Sequence, residues 1–195
     1  MNQKVQEIIK ESLAVKTALL QDQRLVGVVV DIVTLIVDRF RAGKHLYFCG
    51  NGGSAADAQH LAAEFSGRFY INRDALPSEA LHCNTSYITA VANDYSYDVI
   101  YSRLIKGIGK EGDVLVGLST SGYSKNIVSA FEVAQEKKMI TIAFTGSTGG
   151  KLKKCANHLL NIPSDDTPRI QEAHITLGHI ICQLVEEIYF AETND

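Results

Sequence analysis

Residues 45–65 read HLYFCGNGGSAADAQHLAAEF. A short apolar run gives way to a glycine turn, then to Ser54 at a helix start, and then to His60 and Glu64 one helical turn apart. Strand, tight turn and helix in immediate succession form the first half of a βαβ unit, and sheets built from such units hold polar ligands beyond the carboxyl ends of their strands. The stretch therefore indicates both the fold class and where to look for chemistry.

The same alternation repeats along the chain. Apolar runs predict strands over 45–49, 79–83, 113–118, 140–144 and 158–162, and helices fill 54–67, 86–93, 96–107, 123–137, 149–155 and 168–191. The expected fold is α/β: a three-layer αβα sandwich around a five-stranded parallel sheet. Ahead of it, Val5, Ile8, Ile9 and Leu13 mark one amphipathic helix, and residues 24–42 form another. In this second helix Val26, Val28, Val29, Val30, Ile32, Val33, Leu35, Ile36 and Val37 leave little polar face. Burial on more than one side is expected, with another subunit completing the cover, so residues 1–42 should contribute to oligomerisation. The 195 residues suit one domain over 1–195, without a linker rich in Pro, Gly or Ser.

Composition narrows the function classes. A net charge of −3, from 19 basic and 22 acidic residues, gives no reason to expect nucleic acid as a partner. Charges interrupt every segment long enough to cross a bilayer, and the amphipathic start MNQKVQEIIKESL is unlike a signal peptide, so no membrane partner is expected. Cys49, Cys83, Cys155 and Cys182 are widely spaced and form no CxxC pair, which fits reduced cysteines in a cytoplasmic protein.

Three glycine- or hydroxyl-rich turns follow predicted strands: GNGGS, STSGYS and TGSTGG. In the second, Ser119, Thr120, Ser121 and Ser124 stand between VLVGL and a helix, where hydroxyls and free helix N–H groups can converge on a phosphate. The helix dipole makes a basic residue unnecessary there. A serine-rich turn with an ordinary N-cap is the plainer alternative. There is no GxxxxGK[ST], and GNGGSAA is not GxGxxG, which argues against a P-loop or dinucleotide site. His60 and Glu64, at i and i+4 on a helix capped by Ser54, can share a metal ion or a proton-transfer role, or simply form a solvated pair. In the last helix Gln171, His174 and His179 lie among apolar residues, the usual setting of a hydrogen-bonded core histidine rather than a ligand. Gln171 and His179 are separated by roughly 12 Å along a regular helix. One ion meets both only through leaning side chains, a distorted first turn, or contributions from different subunits.

Together CGNGGSAADAQHLAAEFSGRF, TAVANDYSYD, GKEGDVLVGLSTSGYSKNI, FTGSTGGKL and PSDDTPRIQEAHITLGHIICQLVE resemble the sugar isomerase (SIS) family, and within it the phosphoheptose isomerases, over nearly the whole chain. The resemblance implies a cytoplasmic homotetramer that interconverts sedoheptulose 7-phosphate and D-glycero-D-manno-heptose 7-phosphate, towards ADP-heptose and the lipopolysaccharide core. By motif, it implies Glu64 and His179 as the acid/base residues, and His60, Glu64, Gln171 and His179 as ligands to one zinc per subunit. It further implies Asn51, Gly52, Gly53 and Ser54 as a sugar-binding turn, with Asn93, Asp94, Glu64 and Gln171 at the substrate and Ser119, Thr120, Ser121 and Ser124 as a phosphate loop. Arg68 and Asp57 match further positions near the pocket. Where some relatives have an aspartate before the RIQ triplet this chain has Pro168, so that residue's role does not transfer. AADAQH and DTPRIQE resemble the metal-containing branch. A non-catalytic relative that binds the bacterial replication initiator, and a sugar-phosphate sensing domain, are the other readings. The replication-initiator relative lacks the histidine matching His179 and the STSG form, both present here, so catalysis is expected.

Overall fold

The computed structural model describes residues 1–191. Two helices lead, α1 (Asn2–Gln21) and α2 (Gln23–Arg41), with Asp22 alone between them. The Asp22 carboxylate accepts from the Leu25 N–H at 3.0 Å, supplying one of the partners that the first turn of α2 otherwise lacks. Strands and helices then alternate: β1 (Leu46–Gly50), α3 (Gly53–Ser66), β2 (Ser78–Ala80), α4 (Thr85–Asp94), α5 (Ile100–Ile108), β3 (Val114–Ser119), α6 (Lys125–Glu136), β4 (Ile140–Thr145), β5 (His158–Asn161) and α7 (Thr167–Phe190).

The strands form one parallel sheet in the order β2-β1-β3-β4-β5, with Leu46 opposite Val114 and Val114 opposite Ile140. Because side chains alternate across a strand, β1 sends Leu46 and Phe48 to one face and Tyr47 and Cys49 to the other. The first face packs on Ile32 and Ile36 of α2, Leu61 and Phe65 of α3, and Ile181 and Val185 of α7. The second packs on Tyr101 and Ile105 of α5 and Ile127 and Phe131 of α6. Both faces are dry, which is why the strands read as near-continuous apolar runs.

The three-layer α/β sandwich is the expected one, with two local corrections. The helix expected over 149–155 is a single 3₁₀ turn, Leu152–Lys154, because Gly149 and Gly150 take φ of +72° and +52°. Gly150 also abuts Gly122: a Cβ on it would stand 2.5 Å from the Gly122 carbonyl carbon. The helix expected over 96–107 is split into a 3₁₀ turn, Tyr97–Val99, and α5. β2 is shorter than its apolar run, three residues at the sheet edge.

In α2, Leu25, Val29, Ile32, Val33, Ile36 and Val37 are buried, while Val26 and Val30 remain 40% and 54% exposed. α1 lies outside, against α2 and α7, and buries only Leu19; Val5, Ile8, Ile9 and Leu13 face outward. Among the described residues no helix is long and apolar enough to cross a membrane. Cys49 and Cys182 are buried and all four cysteines are free.

Candidate functional site

β1 and β3 are neighbours, yet the helices that follow them cover opposite faces of the sheet, α3 on one and α6 on the other. Their turns diverge at the carboxyl ends and open a crevice, the position where sheets of this order bind ligands. A reciprocal amide pair ties the crevice floor: Asn51 Nδ2 donates to Asn126 Oδ1 and Asn126 Nδ2 to Asn51 Oδ1, both at 2.9 Å. The Tyr97 hydroxyl donates to Asn51 Oδ1 at 3.0 Å, and the Tyr101 hydroxyl donates to the Gly50 carbonyl.

On the β3 side the hydroxyls turn toward one another. Ser119 Oγ lies 2.9 Å from Ser124 Oγ and accepts from the Gly122 N–H at 3.2 Å, and the Tyr123 N–H donates to Ser121 Oγ at 3.1 Å. Ser124 occupies the N-cap position of α6, but its hydroxyl pairs with Ser119 rather than capping the helix. Alongside is a cleft of about 240 Å³ lined by hydroxyls of Thr120, Ser121, Ser147, Thr148 and Thr167, with the Asp165 carboxylate accepting from Ser147 Oγ. Uncapped N–H groups beside converging hydroxyls suit a phosphate.

On the β1 side, the expectation that Ser54 caps α3 is corrected. The cap position is Gly52, at φ +56°, and Ser54 lies inside the first turn, buried, with its hydroxyl accepting from Gln171 Nε2 at 3.5 Å. The same Gln171 side chain fills the space over Gly53, where a Cβ would stand 2.7 Å from its amide nitrogen.

α3 and α7 run side by side in the same direction, in contact at Gly53 with Gln171 and again at Leu61 with Gly178, where a Cβ would stand 2.6 Å from a Leu61 methyl. Two turns beyond Gln171 this packing brings His179 to α3. His179 Nε2 is 2.8 Å from His60 Nε2, one ring donating and the other accepting, and His60 Nε2 is 3.2 Å from Glu64 Oε1. The ligand atoms of the three residues all lie within 4.8 Å of one another. Two imidazole nitrogens and a carboxylate oxygen this close together form a donor set able to hold a metal ion. Burial and the neighbouring His60 lower the His179 pKa and Glu64 opposes them; this favours the neutral ring and a free lone pair. His60, Glu64 and His179 are thus brought together within one chain, while Gln171 is held at the opposite end of the α3 contact.

The remaining expected residues lie around the rim. Asn93 and Asp94 end α4, exposed, with Asn93 Nδ2 donating to Asp94 Oδ1 at 3.0 Å, just before the turn that brings Tyr97 to Asn51. Arg68 is exposed beyond α3. Asp57 is half-buried on α3 with Oδ2 unpartnered; burial raises its pKa and His60 lowers it.

A profile of the SIS domain matches residues 9–146. Phosphoheptose isomerase of Clostridium acetobutylicum is 48% identical over 187 residues, 96% of this chain and 95% of that one; that of Aneurinibacillus thermoaerophilus is 46% identical over 190 residues, 97% and 96%. The solved phosphoheptose isomerase of Francisella tularensis superposes with a TM-score of 0.91 at 32% identity, covering 95% of this chain and 97% of that one. The chain belongs to the phosphoheptose isomerase family of SIS domains.

Within this phosphoheptose isomerase framework the structure adds residues that pattern reading passed over. Tyr97 carries no motif of its own and reaches the crevice only through the turn after α4. Asn126 is the second residue of α6, buried, where an amide reads as an ordinary helix residue. Asp165 and Thr167 join the cleft because β5 and α7 bring their connection beside the TGSTGG turn. A hydroxyl-rich turn recurring after β4 is the one signal in the sequence that pointed there.

Proposed function

We propose that this chain is an aldose–ketose isomerase interconverting sedoheptulose 7-phosphate and D-glycero-D-manno-heptose 7-phosphate, a step towards ADP-heptose, in the cytoplasm. The observation that carries the reading is the convergence of His60, Glu64 and His179 at the α3–α7 contact, in a chain that also presents a hydroxyl-lined cleft at its sheet crevice. Family membership supports the reaction class.

The ketose-to-aldose direction requires removal of a proton from C1, an enediol, and return of the proton to C2. Glu64, a carboxylate with its partner on one side only, moves the carbon-bound proton. His179, disposed toward the neutral form, passes a proton between the two oxygens. Ser119, Thr120, Ser121 and Ser124 seat the phosphate, Asn51 and the Gly52–Ser54 turn with Gln171 line the sugar path, and Asn93, Asp94 and Arg68 stand at the rim. One zinc per subunit would be held by His60, Glu64 and His179, with Gln171 as a fourth ligand drawn from a neighbouring copy, and Glu64 would be a weaker base while the ion is held there. When bound, it polarises the carbonyl as a Lewis acid.

The assembly is a homotetramer with a shared site. Ile170, beside the cleft, and His179 are nine residues apart on α7, roughly 14 Å along its axis, so the catalytic residues of one copy serve the cleft of another. The outward apolar side chains of α1 and α2 supply the contact. The decisive experiment incubates purified protein with sedoheptulose 7-phosphate and follows the aldose. Turnover is expected, lost on Glu64→Gln by at least about a hundredfold without loss of fold. Full activity of Glu64→Gln refutes the assignment.

A further inference from the structure

Beyond the site, one charged pair among the described residues is withdrawn from water. Arg73 Nε donates to Glu186 Oε2 at 2.6 Å, with side-chain exposures of 2% and 3%. A buried ion pair costs desolvation on both sides, so its presence is weak evidence for stability and invites another explanation. The hydrogen bonds supply one.

Glu186, in the sixth turn of α7, accepts from three successive backbone N–H groups: Phe69 at 3.0 Å, Tyr70 at 2.7 Å and Ile71 at 3.0 Å. Burial opposes its ionisation, but these bonds and Arg73 outweigh burial and hold its carboxyl below the usual range. Arg73 in turn donates to the carbonyls that end α3: Glu64 at 2.8 Å, Phe65 at 2.9 Å and Gly67 at 3.2 Å. It also donates to Asp74 at 2.9 Å. The clamp thus grips the backbone of Glu64 itself. It also fixes the loop whose Phe69 ring lies against the His179 ring, centroids 5.7 Å apart. One end of the pair acts on Glu64 and the other on the wall behind His179.

We infer that Arg73 and Glu186 are positioning residues for the proposed acid/base and metal trio, a role resting on the reading above. The planar guanidinium is what lets one side chain meet a carboxylate and several carbonyls at once. Lysine keeps the charge but offers no such fork, and glutamine keeps the shape of Glu186 without its charge.

The test compares wild type with Arg73→Lys and Glu186→Gln. Folding is followed by near-ultraviolet circular dichroism, zinc affinity by competition with a chelator, and kcat and KM with sedoheptulose 7-phosphate. Inhibition by inorganic phosphate reports the distant cleft. Both variants are expected to fold, to lose kcat about tenfold and to bind zinc about tenfold more weakly, the usual effect of removing a partner behind a metal ligand. KM and the phosphate inhibition constant should stay within about twofold, because the hydroxyl cleft draws nothing from the clamp. A folded variant with wild-type kcat and zinc affinity overturns the inference. So does failure of both variants to fold, or equal damage to the phosphate constant, since either marks the pair as a general structural element. An inactive wild type refutes the proposed function instead, and the zinc measurement then decides the clamp alone.

Discussion

Acidification should weaken the fold through one residue, His174. It is fully buried on α7, its Nε2 donates to the Thr145 carbonyl at 3.2 Å, its Nδ1 has no partner, and the Phe144 ring meets it edge-on. Burial lowers its pKa from 6.5 to about 4, against the smaller raising effect of the Thr145 contact. The native state therefore keeps the ring neutral where the unfolded chain has already taken up a proton. The stability associated with the neutral ring is complete above pH 6.5 and drains away as pH falls toward 4. The whole loss is about 3 kcal/mol, and about 2 kcal/mol of it falls between pH 7 and pH 5. Urea unfolding at both pH values and one protein concentration, on wild type and His174→Leu, isolates the effect. Removing the imidazole leaves the Thr145 carbonyl satisfied by the Ile162 N–H at 2.9 Å and removes an orphaned nitrogen. The variant should be close to wild type at pH 7 and more stable than it at pH 5 by about 2 kcal/mol. Parallel pH dependences in the two proteins would refute the argument.

Two other perturbations probe the cleft and the assembly. Ser121→Ala with Ser124→Ala should raise KM for the sugar phosphate about tenfold or more, since a hydrogen bond to a charged group contributes about 1.5–3 kcal/mol, with kcat changed far less; an unchanged KM removes the phosphate from that cleft. Val30→Glu, at a side chain 54% exposed on the outer face of α2, should break the proposed tetramer in light scattering and abolish turnover together. A fully active monomer would sink the shared site.

The fold was legible because each strand of the buried sheet carries its apolar run to a turn rich in glycine or hydroxyls, so strand positions came within a residue or two except at β2, an edge strand of three residues. The helix expected over 149–155 failed because its two glycines take positive φ only to let the chain pass against Gly122, a contact between segments far apart in sequence. The site divides in the same way. His60 and Glu64 were visible as an i,i+4 pair, but whether they face solvent or a partner depends on α7. Of the two histidines in that helix, His174 is the core residue that periodicity favours and His179 the one that escapes it. Five residues separate them on one helix, enough to turn one ring under Thr145 and the other onto α3. Asn126 and Tyr97 were illegible because a single amide and a single phenol gain meaning only across the crevice.

Helix α7 carries Thr167 at the cleft, His174 in the core, His179 in the trio and Glu186 in the clamp. During synthesis the parts of the cleft, trio and clamp that precede α7 leave the ribosome first, and none of the three is complete until that helix docks. The groups of the proposed site therefore come together only after the late residues of the chain have emerged.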